Sequence, residues 1–155
     1  MSSRVVSAAR GWIGTPYVHQ ASCKGAGCDC LGLIRGLWRE LLGCEPEIPP
    51  AYTMDWSEPQ GAEALWLAAR RHLVEKPLPA AAPGDVILFR MRQGSVAKHL
   101  GVQSAACASP AWFGGQAGSR TQGAAFIHAY AGRGVVESPL SPPWQRRIVA
   151  RFRFP

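Results

Sequence analysis

The spacing of apolar residues changes near Gly84, and this change restricts the chain to few architectures. Before Gly84 apolar residues recur at helical spacing, which predicts helices over Ser3–Ile13 and Cys30–Leu42. After Gly84 they alternate, which predicts strands. Helices followed by strands are the order of an α+β domain. We therefore expect N-terminal helices packed on an antiparallel sheet.

The sequence also predicts the bounds of a third helix and of the strands. The sequence Ser57-Glu58-Pro59-Gln60 is a capping box with proline in the first turn, and it predicts a third helix ending near Val74. A Pro/Ala connection over 76–83 follows. About five strands are predicted, over Asp85–Met91, His99–Ala105, Ala124–Tyr130, Gly134–Glu137 and Arg147–Phe154. A length of 155 residues suits one compact domain over 1–155.

Cys30 stands at the predicted start of the second helix, directly after Asp29, a favourable N-cap residue. A thiol in this position lies near the positive end of the helix dipole and near unpaired backbone N–H groups. Both favour the thiolate, the form of cysteine that attacks carbonyl groups. Cys30 is therefore the candidate nucleophile, and a buried structural thiol is the alternative.

Two histidines supply the other groups that a nucleophilic thiol needs. A base must take the proton of the thiol, and a third polar group must hold the base. His99 begins the second predicted strand and is the candidate base, while His128 lies in the third. If these strands pair, His128 accepts a hydrogen bond from the far nitrogen of His99. These are the parts of a papain-like cysteine peptidase.

The candidate residues belong to a longer series of motifs. In order, these are Gly14-Thr15-Pro16-Tyr17, Gly27-Cys28-Asp29-Cys30-Leu31-Gly32-Leu33, Pro83-Gly84-Asp85-Val86-Ile87-Leu88-Phe89, His99-Leu100-Gly101-Val102, Phe126-Ile127-His128-Ala129 and Gly134-Val135-Val136. Through them the chain closely resembles the NlpC-type cysteine peptidases, papain-like enzymes that cut peptides of the bacterial cell wall. The motifs span residues 14–136, most of the chain.

The resemblance implies a role for each site residue. It implies Cys30 as nucleophile, His99 as base and His128 as the polar third member. It also implies that Tyr17 lines the site near the oxyanion position and that Asp29 helps to bind substrate. The implied substrate is a peptidoglycan stem peptide, cut at bonds such as that between D-glutamate and a diamino acid. No metal or organic cofactor is implied.

Leu31 follows the candidate nucleophile where many secreted relatives have serine. The N-terminus also lacks the pattern of a signal peptide, because Arg10 interrupts the apolar run. In both respects the chain resembles the version carried by tailed phages and gene-transfer particles, where the peptidase rides on the tail tip and opens the wall for DNA entry. We therefore expect synthesis in the cytoplasm, a place in a virion tail acting on the periplasmic wall, and tail-tip or baseplate proteins as partners.

Two other function classes stay open at this point. One is a structural tail or baseplate component in which catalysis is vestigial, which predicts that Cys30 is buried and unreactive. The other is an acyltransferase or amidase that uses the same Cys/His pair on a different acyl substrate. An enzyme of that kind is distinguished by an acyl-enzyme that prefers an amine acceptor to water.

The charge of the chain bears on its partners. Seventeen basic residues against ten acidic ones give a formal net charge of +7, which suits an anionic partner, although a solvated basic face is equally compatible. No nucleic-acid-binding motif accompanies the charge, so specific binding to nucleic acid is not expected. No apolar run reaches the ~20 residues of a membrane helix, so membrane insertion is not expected.

The chain has five cysteines, an odd number that argues against a fully paired disulfide framework. They are Cys23, Cys28, Cys30, Cys44 and Cys107. Three of them, with His19, offer soft ligands, but their spacing is poor for a zinc site, so we predict no metal. A local disulfide between Cys23 and Cys28 stays open.

The remaining expectations concern structural residues. His19 and His72 are expected at the surface, and Trp38 and Trp66 in the core. Asp85 follows Pro-Gly at a strand entrance, where a turn-capping carboxylate is the favoured interpretation. The Gly/Ala/Ser-rich stretch over 106–123 has no counterpart in the motif series and is expected to be a docking or specificity loop.

Overall fold

The computed structural model of the chain describes residues 1–52, 63–106 and 123–155. Its helices are α1 (Ser2–Arg10), α2 (Cys30–Leu42), α3 (Ala64–His72) and α4 (Pro142–Gln145). Its strands are β1 (Ser22–Cys23), β2 (Gly27–Cys28), β3 (Val74–Lys76), β4 (Val86–Phe89), β5 (His99–Ala105), β6 (Ala125–Tyr130), β7 (Gly134–Pro139) and β8 (Ile148–Arg153). The predicted α+β architecture is confirmed.

The main sheet is antiparallel, and its strand order is β3-β8-β4-β5-β6-β7. It has six strands where the sequence pattern predicted about five. The added strand is β3, in a region predicted as a helix end and a connection. Leu73 adopts extended backbone angles that end α3, and Val74 pairs with Arg153 of β8. Three residues are too few for alternation to be read from sequence.

The N-terminal part of the chain differs from the prediction in two further places. The first helix ends at Arg10 rather than Ile13, and turns lead from it to Gly14. The segment before Cys30, predicted as a loop, contains the short hairpin of β1 and β2, with Ser22 opposite Cys28. The expected third-helix start over 57–60, the residues 107–122 of the Gly/Ala/Ser-rich stretch and Cys107 lie outside the described residues.

Two apolar clusters hold these elements together, one on each face of the sheet. The larger cluster joins Val5 of α1 and Leu33 and Leu37 of α2 to inward side chains of the strands, and Trp38 and Trp66 pack against it as expected. The smaller cluster consists of Ile87, Phe89, Phe126 and Leu140. Burial of each such side chain contributes about 1.5–3 kcal/mol to folding.

The packing of α2 positions the candidate nucleophile. This helix lies against β5 and β6, and its first residue, Cys30, reaches the end of the sheet where β5 begins. The Sγ atom of Cys30 lies 3.6 Å from the carbonyl oxygen of Lys98, the residue before His99.

Among the described residues, no helix is both long enough and apolar enough to cross a membrane.

Candidate active site

Cys30 is the first residue of α2, and the loop before it is tied to that helix. The Oδ1 atom of Asp29 accepts a hydrogen bond of 2.7 Å from the backbone N–H of Gly32, which makes Asp29 the predicted N-cap. Backbone N–H groups of Cys30, Leu31 and Leu100 lie near the Cys30 sulfur and favour its thiolate form. The predicted placement of the thiol at a helix N-terminus is therefore observed.

The protonation state of Cys30 differs from the expectation. Burial raises the pKa of the thiol to about 12, and the carboxylate of Asp29 acts in the same direction. The backbone N–H groups lower the pKa, but by less, because the cost of removing a thiolate from water outweighs them. In the free protein Cys30 is therefore a neutral thiol at pH 7, not the thiolate that the helix dipole alone predicts.

His99 and His128 form a hydrogen-bonded pair on neighbouring strands. The Nε2 atom of His99 lies 2.8 Å from the Nδ1 atom of His128, and their rings meet edge to face. On its other side the Nε2 atom of His128 lies 3.0 Å from the Oγ atom of Ser138 in β7. Three strands thus bring together a row of three polar side chains, His99, His128 and Ser138.

One arrangement of protons along this row leaves His99 able to act as a base. When His99 donates from Nε2, the Nδ1 atom of His128 accepts, so the proton of His128 resides on Nε2 and is donated to Ser138. The Nδ1 atom of His99 is then an acceptor, and His99 and Cys30 line the same cleft. A base needs this tautomer to take the proton of Cys30.

Both histidines are neutral at pH 7. Burial lowers the pKa of His99 to about 3, with a contribution from His128, and burial lowers the pKa of His128 to about 4. A neutral thiol therefore stands with a neutral imidazole in the free protein. Such a pair performs general-base catalysis, in which the proton moves as the sulfur attacks.

A cleft of about 150 Å³ brings four of the five predicted site residues together. Tyr17, Asp29, Cys30 and His99 line it, whereas His128 lies behind His99 and does not. Tyr17 is held there by a bridge between its backbone and that of Cys28. Burial raises the pKa of Tyr17 to about 12, so its phenol stays protonated and can donate a hydrogen bond.

Asp29 is buried and is surrounded by donors of the chain itself. Besides the bond from Gly32, its Oδ2 atom accepts one of 2.8 Å from the backbone N–H of Gln20 and one from the hydroxyl of Tyr52. These bonds hold Gln20, in the loop before β1, and Tyr52 against the start of α2. Its role in substrate binding stays a prediction.

Tyr52 and His19 line the cleft, and sequence reasoning assigned neither to it. His19 was expected at the surface. Its side chain is 33% exposed, its Nε2 atom lies 2.8 Å from the carbonyl oxygen of Tyr52, and the two rings meet edge to face. The available signal was the proline-rich segment before Tyr52, which stays extended and can cross the cleft.

Trp144 is the third residue near the site that the sequence did not predict. It belongs to α4, and its ring centre lies 5.7 Å from that of His99 and 5.1 Å from that of His128. Contacts of this kind shield the histidine pair from water, which is consistent with their lowered pKa values. Ser141 followed by two prolines was a signal for this short helix, since proline suits a first helical turn.

Asp85 and the described cysteines other than Cys30 were also considered in the sequence, and the structure shows what each contacts. Asp85 accepts a hydrogen bond of 2.9 Å from the backbone N–H of Ala82 and pairs with Lys76 and Arg151, which confirms the capping role. The four described cysteines are free thiols, including Cys23 and Cys28. Within residues 1–52, 63–106 and 123–155, no three His, Cys, Asp or Glu side chains are grouped to hold a metal ion.

Comparison of the sequence with known proteins gives a partial match. No family model matches the chain. The chain is 31% identical over 103 residues to the gamma-DL-glutamyl hydrolase of Bacillus subtilis (strain 168). This match covers 66% of the chain but 21% of that hydrolase, so the chain spans about a fifth of the relative's length.

Solved structures of NlpC/P60 proteins share the fold. The chain superposes over 99% of its length on an NlpC/P60 family protein from Bacillus cereus ATCC 10987, with a TM-score of 0.63, 20% identity and coverage of 40% of that protein. It also matches the NlpC/p60 domain of the peptidoglycan hydrolase SagA, with a TM-score of 0.60, 17% identity and coverage of 99% of each chain. A third match is NlpC1 from Trichomonas vaginalis, with a TM-score of 0.56, 18% identity, and coverage of 99% of this chain and 43% of that protein.

Proposed function

We propose that this protein is a cysteine peptidase of the NlpC/P60 type that hydrolyses amide bonds in peptidoglycan stem peptides. The observation that carries the proposal is the hydrogen-bonded pair of His99 and His128 behind a cleft that opens on Cys30 at the start of α2. The NlpC/P60 fold supports it, as does the partial match to a hydrolase named for glutamyl bonds. Glutamyl amide bonds are therefore the preferred target.

The geometry supports a two-step reaction. The sulfur of Cys30 attacks the amide carbonyl while Nδ1 of His99 takes its proton, and backbone N–H groups at the start of α2, with the phenol of Tyr17, stabilise the oxyanion. His99 then returns the proton to the leaving amine as the C–N bond breaks, which leaves a thioester on Cys30. Water, deprotonated by His99, attacks the thioester and releases the acid and the free thiol.

Two alternatives make different predictions for the same site. An acyltransferase or amidase forms the same thioester but passes the acyl group to an amine, or releases a different leaving group. A structural tail or baseplate component with vestigial catalysis forms no thioester. The lining of the cleft by both Cys30 and His99 favours catalysis over a vestigial site.

Delivery on a phage-like tail is part of the proposal. It is supported by the resemblance at Leu31 to the form carried by tailed phages and gene-transfer particles. The proposed setting is a virion tail that meets the periplasmic wall, with tail-tip or baseplate proteins as neighbours. Detection of the protein in purified particles, and its removal with tails after particle disruption, tests this setting separately from the chemistry.

The chemistry is tested by release of soluble fragments from purified peptidoglycan, analysed by mass spectrometry. We expect cleavage at a stem-peptide bond that disappears in Cys30→Ala. Cys44→Ala is a matched control, because Cys44 is an exposed thiol outside the cleft, and it is expected to retain activity. No release by the intact protein, with a Cys30 that resists alkylation in the folded state, favours the structural component. Products extended by an added amine favour the acyltransferase.

A further inference from the structure

Three arginines surround a second depression next to the catalytic cleft. This cavity, of about 490 Å³, is lined by Arg90, Arg146 and Arg147, and Met91 is a wall of both this cavity and the catalytic cleft. No residue of the proposed catalytic machinery lies in it. The depression is a cationic extension of the cleft that the reaction itself does not require.

The strand register explains why this cavity lies beside the catalytic base. Phe89, the last residue of β4, pairs with His99, and Arg90 comes next in the chain. The backbone N–H of Arg90 donates a hydrogen bond of 2.8 Å to the carbonyl oxygen of Arg147, the residue before β8. Arg90, Arg147 and His99 therefore meet at the same end of the sheet.

The charge of the depression is largely uncompensated. Arg90 bonds to Glu63 at 2.9 Å. Neither Arg146 nor Arg147 has an acidic partner within the described ranges. Two positive charges thus remain beside the cleft, where an anionic group of a bound substrate would meet them.

Arg147 is also held in a defined position. Its guanidinium carbon lies 5.3 Å from the centre of the Trp144 ring, and the same ring packs on His99. A stacked guanidinium keeps the N–H groups at its edge for a planar acceptor, and a carboxylate is the acceptor that matches two of them at once. One aromatic ring therefore separates a carboxylate-binding group from the catalytic base.

From these observations we propose that Arg146 and Arg147 form a carboxylate-binding subsite for an acidic peptide substrate. This proposal rests on the proposed function and specifies its substrate class. A glutamate joined through its side chain keeps a free α-carboxylate a few bonds from the scissile amide. The subsite binds such a carboxylate, and the enzyme prefers glutamyl peptides in which it is free to those in which it is an amide.

Binding to the Cys30→Ala protein tests the subsite without any turnover. The probes are the synthetic tripeptide L-Ala-γ-D-Glu-L-Lys and its α-amide, titrated by calorimetry. The cavity variant is Arg146→Gln with Arg147→Gln. The matched control is Arg4→Gln with Arg153→Gln, which removes the same charge from an exposed residue of α1 and from the exposed last residue of β8.

We expect the cavity variant to bind the carboxylate peptide about tenfold more weakly, since two exposed ion pairs of up to about 1 kcal/mol each are lost. The α-amide peptide binds both variants alike, and the control variant binds like Cys30→Ala itself. Equal binding of the two peptides, no binding of either, or loss in the control variant overturns the subsite. So does a duplex oligonucleotide that displaces the peptide and binds with the same dependence on Arg146 and Arg147, since the cavity is then a phosphate site.

Hydrolysis by the protein with Cys30 intact separates this proposal from the proposed function. If that protein cuts the α-amide and carboxylate peptides at equal rates in every variant, the peptidase activity stands and the subsite fails. If Cys30→Ala binds the carboxylate peptide through the arginines but the intact protein cuts neither peptide nor peptidoglycan, the subsite stands and the peptidase activity fails. With both correct, the cavity variant shows a raised KM for the carboxylate peptide and an unchanged kcat.

Discussion

The Nε2 atom of His99 and the Nδ1 atom of His128 lie 2.8 Å apart, and this hydrogen bond fixes how both rings can act. It occupies the Nε2 atom of His99 and leaves the Nδ1 atom as the ring nitrogen that can accept a proton. A histidine orients a base through one lone pair, with no negative charge to hold an imidazolium. The base is therefore oriented without a buried carboxylate, which suits the neutral state of both histidines.

Replacement of His128 tests this orientation. In His128→Asn the amide oxygen takes the place of Nδ1 and can still accept from His99, whereas His128→Ala removes the acceptor. We expect His128→Ala to lower kcat about a hundredfold and His128→Asn to lower it much less, because only the alanine variant frees the imidazole of His99. Steady-state kinetics measure both. Equal losses in the two variants contradict an orienting role.

Ser138 is predicted to act through His128. Its hydroxyl oxygen lies 3.0 Å from Nε2 of His128 and accepts from that nitrogen in the tautomer that a base needs, so Ser138→Ala removes the bond that favours this tautomer. We expect a fall in kcat of about tenfold, the value of a hydrogen bond of roughly 1.4 kcal/mol, with KM unchanged. Ser138→Thr keeps the hydroxyl and is the control. A change in KM alone, or the same loss in threonine and alanine variants, rules out this role.

The neutral state of Cys30 predicts a characteristic alkylation profile. Because burial raises the pKa of its thiol to about 12, the thiolate fraction is small at pH 7 and grows about tenfold with each pH unit. The rate of alkylation by iodoacetamide, followed by mass spectrometry at Cys30, should therefore rise steadily from pH 6 to pH 9. A flat rate over this range indicates a preformed thiolate–imidazolium pair and contradicts the prediction.

The buried histidines predict a loss of stability in mild acid. Their pKa values are about 3 and about 4 in the folded protein and about 6.5 when unfolded, so between these values the unfolded chain binds more protons. Stability therefore falls as pH drops below about 6.5, by up to about 1.4 kcal/mol per pH unit for each histidine.

Urea unfolding at pH 7, 6 and 5 measures this slope. His128→Asn removes one of the two groups, so its free energy of unfolding should fall less steeply with acid than that of the unmodified protein. Its stability at pH 7 is the reference for each series. Parallel slopes for the two proteins contradict the assignment of acid sensitivity to this pair.

Gly32 is predicted to hold the cleft loop against α2. A Cβ atom at Gly32 would lie 1.9 Å from the backbone oxygen of Ala21, which follows the Gln20 N–H bonded to Asp29. Gly32→Ala should lower the free energy of unfolding by about 1–3 kcal/mol because the loop must move away. Gly123→Ala is the control, since no atom of the described residues lies within 4 Å of its Cβ position. Equal stability of the two variants argues against close packing at this turn.

Local sequence patterns predicted the helix and strand that carry the site more accurately than they predicted the protonation states of the site residues. The bounds of α2 and β5 agree with the sequence prediction, because Asp29 caps one and alternation marks the other. The pKa of Cys30 did not follow from its helix position, since it depends on burial by segments distant in sequence. Tyr52 and Trp144 were missed for the same reason, because only the folded chain brings Tyr52 to the cleft and Trp144 against His99.

The two edge strands of the six-stranded sheet, β7 and β3, affect how this protein behaves at high concentration. At one edge, Gly14 and Thr15 exchange backbone hydrogen bonds with Val135 near the start of β7. The opposite edge strand is β3, which has three residues and carries Glu75 and Lys76. Edge strands that are short, charged or covered are poor templates for pairing with a strand of another molecule. The fold thus limits strand-by-strand aggregation, so many copies can be held close together without their sheets joining.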